Sequence, residues 1–138
     1  MEKVSLILDT SYLIALNDSG DSYHNSALSL KSRIKNKEFG LCYISDYIFD
    51  EFATFLRAKS IPSDKIKSIG DALLEDQTIE LLKVDKEMFL KAWDMFKKTS
   101  NLSFTDCTIT ILAKEFGIKN IVSFDSDFDS IKDIKRIS

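Results

Sequence analysis

Four short apolar runs alternate with helix-forming segments, and this alternation limits what the chain can fold into. The runs are VSLIL (4–8), GLCYI (40–44), IELLKV (79–84) and NIVSF (120–124). A continuous apolar run of this length suits a strand buried on both faces. Between the runs lie segments with helical patterning. TSYLIALN follows the first run directly, GDS (20–22) breaks the chain, and SYHNSALSLKSRIKNK reads as an exposed amphipathic helix. Ser45 is placed to cap a helix from Asp46 to about Ala58. Pro62 opens another helix, with Ser63 and Asp64 in its first turn. Asp85 caps KEMFLKAWDMFKKT, whose Met88, Ala92, Met95 and Phe96 share one side. IKRI (134–137) can add a fifth strand at an edge. Strand–helix alternation of this kind predicts an α/β fold: a parallel sheet with helices on both faces and a ligand site beyond the carboxyl ends of the strands.

The chain has 138 residues, enough for one domain spanning 1–138 around one sizeable core. It has no apolar run long enough to cross a bilayer. MEKVSLILDTS does not read as a secretory leader, because its apolar segment is short and ends in Asp9. A cytoplasmic protein with no membrane partner is the expectation. Cys42 and Cys107 form no CxxC pair and lie in apolar contexts, so both are expected to be reduced core residues. With His24 as the single histidine, chemistry that needs two imidazoles is excluded. The four glycines form no phosphate-binding loop. The net charge of −3 argues weakly against nucleic acid; setting aside four of the 22 acids changes it to +1, so bulk charge does not decide the partner.

The acids carry more information. In LSFTDCTITILAKEFG (102–117) an apolar stripe of Ile109, Leu112, Ala113 and Phe116 has helical spacing and is expected to be buried, and the position one turn before Ile109 is Asp106. Ser103 and Asp106 have capping-box spacing, so Asp106 also has a local role available. At a helix N-terminus the dipole is expected to lower its pKa and keep it ionised. Asp9 ends the first strand, where it can face a site or merely cap the next helix. Glu51 lies beside the face formed by Ile48, Phe52, Phe55 and Leu56. Asp125 directly follows the fourth strand, and Asp127 and Asp129 follow in the same turn, where aspartates are also ordinary turn formers.

In a parallel sheet, Asp9, Glu51, Asp106 and Asp125 can all reach one edge. Clustered carboxylates repel one another unless something offsets their charge. A hard divalent cation suits an all-oxygen set: Mg²⁺ takes octahedral oxygen ligands at about 2.0–2.1 Å and retains waters, and Mn²⁺ accepts similar ligands. Such an ion polarises a phosphodiester and activates water without help from histidine.

Four motifs in order, LILDTSYLIAL, DEFATFL, LSFTDCTITILAKEFG and IVSFDSDFD, resemble those of the PIN-domain ribonucleases, and most of all the small stand-alone VapC-type toxins. The resemblance spans nearly the whole chain. It implies a three-layer fold with a parallel sheet of four to five strands in the order 3-2-1-4-5. It implies Mg²⁺ or Mn²⁺ held by Asp9, Glu51, Asp106 and Asp125, with Asp127 a second candidate for the fourth acid. Ser123 matches a supporting hydroxyl. Hydrolysis of RNA, a homodimer and inhibition by an antitoxin protein are further implications. The segment 57–74, with Ile66, Ile69 and Leu73 in helical spacing, matches a helical clip for a dimer or partner, while an ordinary solvated helix explains it equally well. Arg57, Lys59, Lys97 and Lys98 are candidates to guide the phosphate backbone.

Two rival readings carry different expectations. A phosphotransfer domain also places acids at strand ends, but a haloacid-dehalogenase phosphatase needs an acid where Ser11 stands, and a receiver needs paired acids at the first strand. A catalytically silent PIN-like module that binds RNA or protein is the non-enzymatic alternative.

Overall fold

The computed structural model describes residues 4–138. Residues 1–3, which open the stretch read against a secretory leader, lie outside the described residues. Five strands form one parallel sheet: β1 (Ser5–Leu8), β2 (Leu41–Ser45), β3 (Ile79–Leu82), β4 (Asn120–Val122) and β5 (Lys135–Ile137). Their order is β3-β2-β1-β4-β5, as expected. Six helices flank the sheet: α1 (Thr10–Asn17), α2 (His24–Lys35), α3 (Asp46–Ala58), α4 (Ser63–Glu75), α5 (Lys86–Lys98) and α6 (Phe104–Phe116). No helix among the described residues is long and apolar enough to cross a membrane.

The central position of β1 follows from its composition. All four of its residues are buried, with Leu6 at 0% exposure, so both of its faces must be covered. Ile7 pairs with Tyr43 on one side and Ile121 on the other. The edge strands β3 and β5 are more exposed and more polar. Gly40, just before β2, has φ +76°, and a Cβ there would come within 1.9 Å of the Val4 carbonyl oxygen. Only glycine allows β2 to start this close to β1.

Helix boundaries are fixed by side-chain caps. Ser45 accepts the Ile48 N–H, and Asp85 accepts the Met88 N–H. Gly117 closes α6 in the left-handed conformation. Two strands stop sooner than their apolar runs suggest. Beyond β3, the Val84 N–H turns to the Asp46 carboxylate at 3.2 and 3.3 Å. Beyond β4, the Phe124 N–H goes to Ser11 Oγ, and the Asp125 N–H goes to Ser123 Oγ. Side chains here replace a neighbouring strand as hydrogen-bond partner.

Both cysteines are buried and free, as expected. One core assignment is corrected. Phe116 is 51% exposed, although it shares the helical spacing of Ile109, Leu112 and Ala113, which are all buried. It lies in the final turn of α6, where it lines an open pocket with Val4, Ser5, Leu41 and Tyr43 at the start of β1 and β2 and does not reach the closed core.

Candidate metal site at the carboxyl edge of the sheet

The order 3-2-1-4-5 makes the chain leave β1 and β4 in opposite directions along the sheet, opening a crevice beyond their carboxyl ends. Asp9 follows β1 there. Its N–H donates to Val122 O at 3.0 Å and prolongs the β1–β4 pairing by one step. Asp9 occupies the cap position of α1, but its side chain makes no capping bond. The capping explanation for this carboxylate is therefore set aside.

The carboxylate instead meets two hydroxyls. Ser11 Oγ donates to Asp9 Oδ2 at 2.8 Å, and Ser123 Oγ donates to the same oxygen at 2.7 Å. Each hydroxyl also accepts a backbone N–H from the turn after β4: Phe124 to Ser11, and Asp125 to Ser123, both at 3.0 Å. The two hydroxyl oxygens lie 3.2 Å apart. Since each hydroxyl has one proton and spends it on Asp9, the turn holding Asp125 is tied to the acid of β1 through two short relays.

Asp106 reaches the same place from α6. The capping box is complete: Asp106 N–H donates to Ser103 Oγ, and Ser103 N–H donates to Asp106 Oδ2, both at 3.0 Å. Capping and an inward position coexist, with Asp106 buried to 8% exposure. Asp125 accepts the Asp127 N–H on Oδ1 at 2.9 Å, which shapes the short 3₁₀ turn Ser126–Ser130. Glu51, in the second turn of α3, is exposed.

The electrostatics link these four acids. Burial is the main cause that raises the pKa of Asp9, opposed by the Ser123 and Ser11 hydroxyls, with the Glu51 charge adding to the rise. Burial also pushes Asp106 up to about 6; its capping bonds oppose the shift, and the charges of Asp9 and Asp125 reinforce it. The expectation that the helix dipole keeps Asp106 below the ordinary range is thus corrected: desolvation and two neighbouring carboxylates outweigh the helix end. The Asp127 N–H supports Asp125, and Asp127 is half-buried in the same turn.

The donors are all carboxylates, the oxygen type that a hard divalent cation takes. Among the described residues, no ion pair engages Asp9, Glu51, Asp106 or Asp125, although the same chain pairs Asp129, Glu38 and Glu115 with basic partners. Among the described residues no three His, Cys, Asp or Glu side chains are gathered so that they could hold a metal ion as they stand. An open all-carboxylate arrangement suits Mg²⁺ or Mn²⁺, ions that keep part of their water shell.

Two supporting residues escape a reading of acids alone. Ser11 is as central as Ser123, and its spacing of two residues from Asp9 was the available clue. Arg136 on β5 forms a two-pronged pair with Asp129 at 2.9 and 3.0 Å and donates to Ser123 O at 3.2 Å, bracing the turn from outside. Nothing in the sequence near Arg136 marks it. Of the candidate phosphate guides, Arg57 and Lys59 lie at the end of α3, with Lys59 over the Phe55 ring, and Lys97 pairs with Asp94. Lys98 is exposed in the last turn of α5.

The raised pKa of Asp106 has a definite stability consequence. An ordinary aspartate titrates near 3.8 and Asp106 in the fold at about 6, so the folded state holds the proton more tightly than the unfolded chain does. This contribution to stability is complete below pH 3.8 and is lost as pH rises through about 6. Asp106→Asn keeps an oxygen for the capping bond and removes the charge. In EDTA it should melt with wild type near pH 4 and above wild type near pH 7.5, and thermal unfolding at the two pH values checks this. An equal melting temperature at pH 7.5 would contradict the electrostatic picture.

Comparison with known proteins gives a consistent family. A PIN domain model matches residues 6–134. A VapC ribonuclease of Archaeoglobus fulgidus is 24% identical over 128 residues, covering 91% of this chain and 80% of that protein. The 23S rRNA-specific endonuclease VapC20 of Mycobacterium tuberculosis is 24% identical over 125 residues, covering 91% and 92%. The crystal structure of M. tuberculosis VapC20, described as a sarcin-ricin loop cleaving toxin, superposes with a TM-score of 0.76 at 22% identity, covering 91% of this chain and 93% of that one. VapBC2 from Rickettsia felis, bound to a DNA fragment from its promoter, gives a TM-score of 0.67 at 20% identity, covering 96% and 97%. With the family model spanning nearly all of the sheet and the crevice at its edge, the chain belongs to the PIN-domain family.

Proposed function

We propose that this protein is a divalent-metal-dependent endoribonuclease and the toxin half of a toxin–antitoxin pair. The observation that carries the reading is the electrostatically coupled quartet Asp9, Glu51, Asp106 and Asp125, which lacks ion-pair partners among the described residues at the carboxyl edge of the sheet. Relatives named as ribonucleases and toxins support it. A bound Mg²⁺ or Mn²⁺ would supply charge stabilisation at the phosphodiester and a water of lowered pKa. Asp9, Asp106, Asp125 and the more exposed Glu51 are the acids proposed to hold it, with waters completing its shell, and the Asp127 N–H supports Asp125. Ser11 and Ser123 hold Asp9 in one orientation. An RNA substrate goes with a cytoplasmic location.

Two partner surfaces belong to this reading. An apolar cleft of about 180 Å³ lies among α1, α2, α3 and α4, lined by Tyr12, Leu16, Ile34, Ile69 and Leu73. Leu8 and Phe52 also line it, and an antitoxin segment is the proposed occupant. The second surface is on α5. Phe89, Leu90 and Trp93 are 41%, 51% and 46% exposed, beside an aromatic group centred on Phe104, which lies 5.1 Å from Phe89 and 6.1 Å from Phe96 between ring centroids. An apolar face this continuous suits a second copy of the chain.

Asp106→Asn should lower RNA cleavage at least about a hundredfold while leaving the fold intact. Excess EDTA should abolish wild-type cleavage. Gel assays on a panel of structured and single-stranded RNAs, with Mg²⁺ and with Mn²⁺, measure both, and an undiminished Asp106→Asn rate would refute the site assignment. Leu73→Asp should prevent co-purification with the product of a small neighbouring reading frame; retention of that product would place the partner elsewhere. Trp93→Glu should convert a dimer to a monomer in light scattering, whereas an unchanged mass would remove α5 from the interface.

A further inference from the structure

The turn that carries Asp125 also carries an aromatic side chain with an unusual partner. Phe124 stands between Ser123 and Asp125, and its ring stacks on Tyr23 with centroids 4.7 Å apart and planes 7° from parallel. Tyr23 immediately precedes α2 and is 49% exposed. It is not part of the hydrophobic core. Phe124 covers one face of the tyrosine ring, and among the described residues no other aromatic ring or cation stacks on it.

Both halves of the stack are held in place. The Phe124 N–H donates to Ser11 Oγ, the hydroxyl that serves Asp9. The Tyr23 N–H donates to Asp21 Oδ1 at 2.8 Å, and Tyr23 O accepts the Ala27 N–H at 2.9 Å. The next residue, His24, places its ring nitrogen 2.7 Å from Ala15 O, joining the start of α2 to α1. Arg136 lies near enough to both Tyr23 and Asp125 to interact with them electrostatically, while its guanidinium braces Ser123 O and Asp129. A flat, solvent-facing ring is therefore held against Phe124, the residue that immediately precedes a proposed metal ligand.

We infer that Tyr23, backed by Phe124, is a stacking platform for an unpaired RNA base next to the phosphodiester that the acids engage. This rests on the ribonuclease reading above and adds a substrate requirement to it. A nucleobase has π faces to offer whatever its identity, so stacking is tolerant of sequence. A base inside a duplex already has both faces covered by its neighbours, so the platform selects single-stranded segments or loops. A rigid ring loses little conformational freedom on binding, which favours a platform fixed in advance over a mobile one.

The test separates base stacking from charge and from folding. Both proteins carry Asp106→Asn, so that no RNA is cut; one also carries Tyr23→Leu. Each is titrated, in Mg²⁺, against fluorescein-labelled oligoadenylate and against a base-free ribose-phosphate oligomer of the same length and charge, with anisotropy as the readout. Tyr23→Leu should weaken oligoadenylate binding about tenfold and leave the base-free oligomer unchanged, while Tyr23→Trp should retain full affinity. Equal binding of oligoadenylate with and without Tyr23 would overturn the inference, as would an equal loss on both oligomers. Failure of the ribonuclease reading looks different: wild type would leave the whole RNA panel uncut and the Asp106→Asn protein would bind neither oligomer, which overturns both.

Discussion

The buried carboxylate of Asp9 is the constraint on which the rest of this structure depends. An acid at 4% exposure must be hydrogen-bonded or offset by charge, because the interior cannot solvate it. No basic side chain pairs with it among the described residues. The fold meets the requirement with Ser11 and Ser123, which come from opposite sides of the β1–β4 pairing. Those hydroxyls in turn accept the N–H groups of Phe124 and Asp125, and this ends β4 and sets the turn. A local demand for solvation at one side chain thus fixes the position of a second acid 116 residues later in the chain.

Asp106 completes the arrangement by a different route. Its backbone and one carboxylate oxygen are committed to the N-terminus of α6, and that commitment holds the side chain at the crevice. The burial that follows raises its pKa to about 6, and the charges of Asp9 and Asp125 contribute in the same direction. The metal-free site is therefore destabilised by its own acids near neutral pH. In the proposed function a bound divalent cation would relieve that repulsion, so the groups that weaken the free protein are the proposed ligands.

The sheet was legible because its strands are buried on both faces and read as uninterrupted apolar runs, and the caps at Ser45, Asp85 and Ser103 were legible because capping depends on local spacing. Phe116 was misread because periodicity reports the side of a helix a residue occupies and not whether a neighbour reaches it. The pKa of Asp106 was misread for a related reason: the dipole is local and visible in sequence, whereas desolvation and the charges of Asp9 and Asp125 come from segments far along the chain. Ser11 was within reach of inspection, two residues from Asp9. Arg136 and the pairing of Tyr23 with Phe124 were not, since each joins positions 7 to 101 residues apart and follows no period.

The central claim is that the acids at the β1–β4 edge form one divalent-cation site, and Mn²⁺ binding tests it without any assumption about the RNA target. Calorimetric titration of wild type and Asp9→Asn is the measurement. Asparagine keeps an oxygen to accept the Ser11 and Ser123 hydroxyls, so the fold should persist while a ligand charge is removed. Saturable Mn²⁺ binding by wild type is predicted, with a loss of affinity of at least about tenfold in Asp9→Asn. Equal Mn²⁺ affinity in the two proteins would contradict the claim.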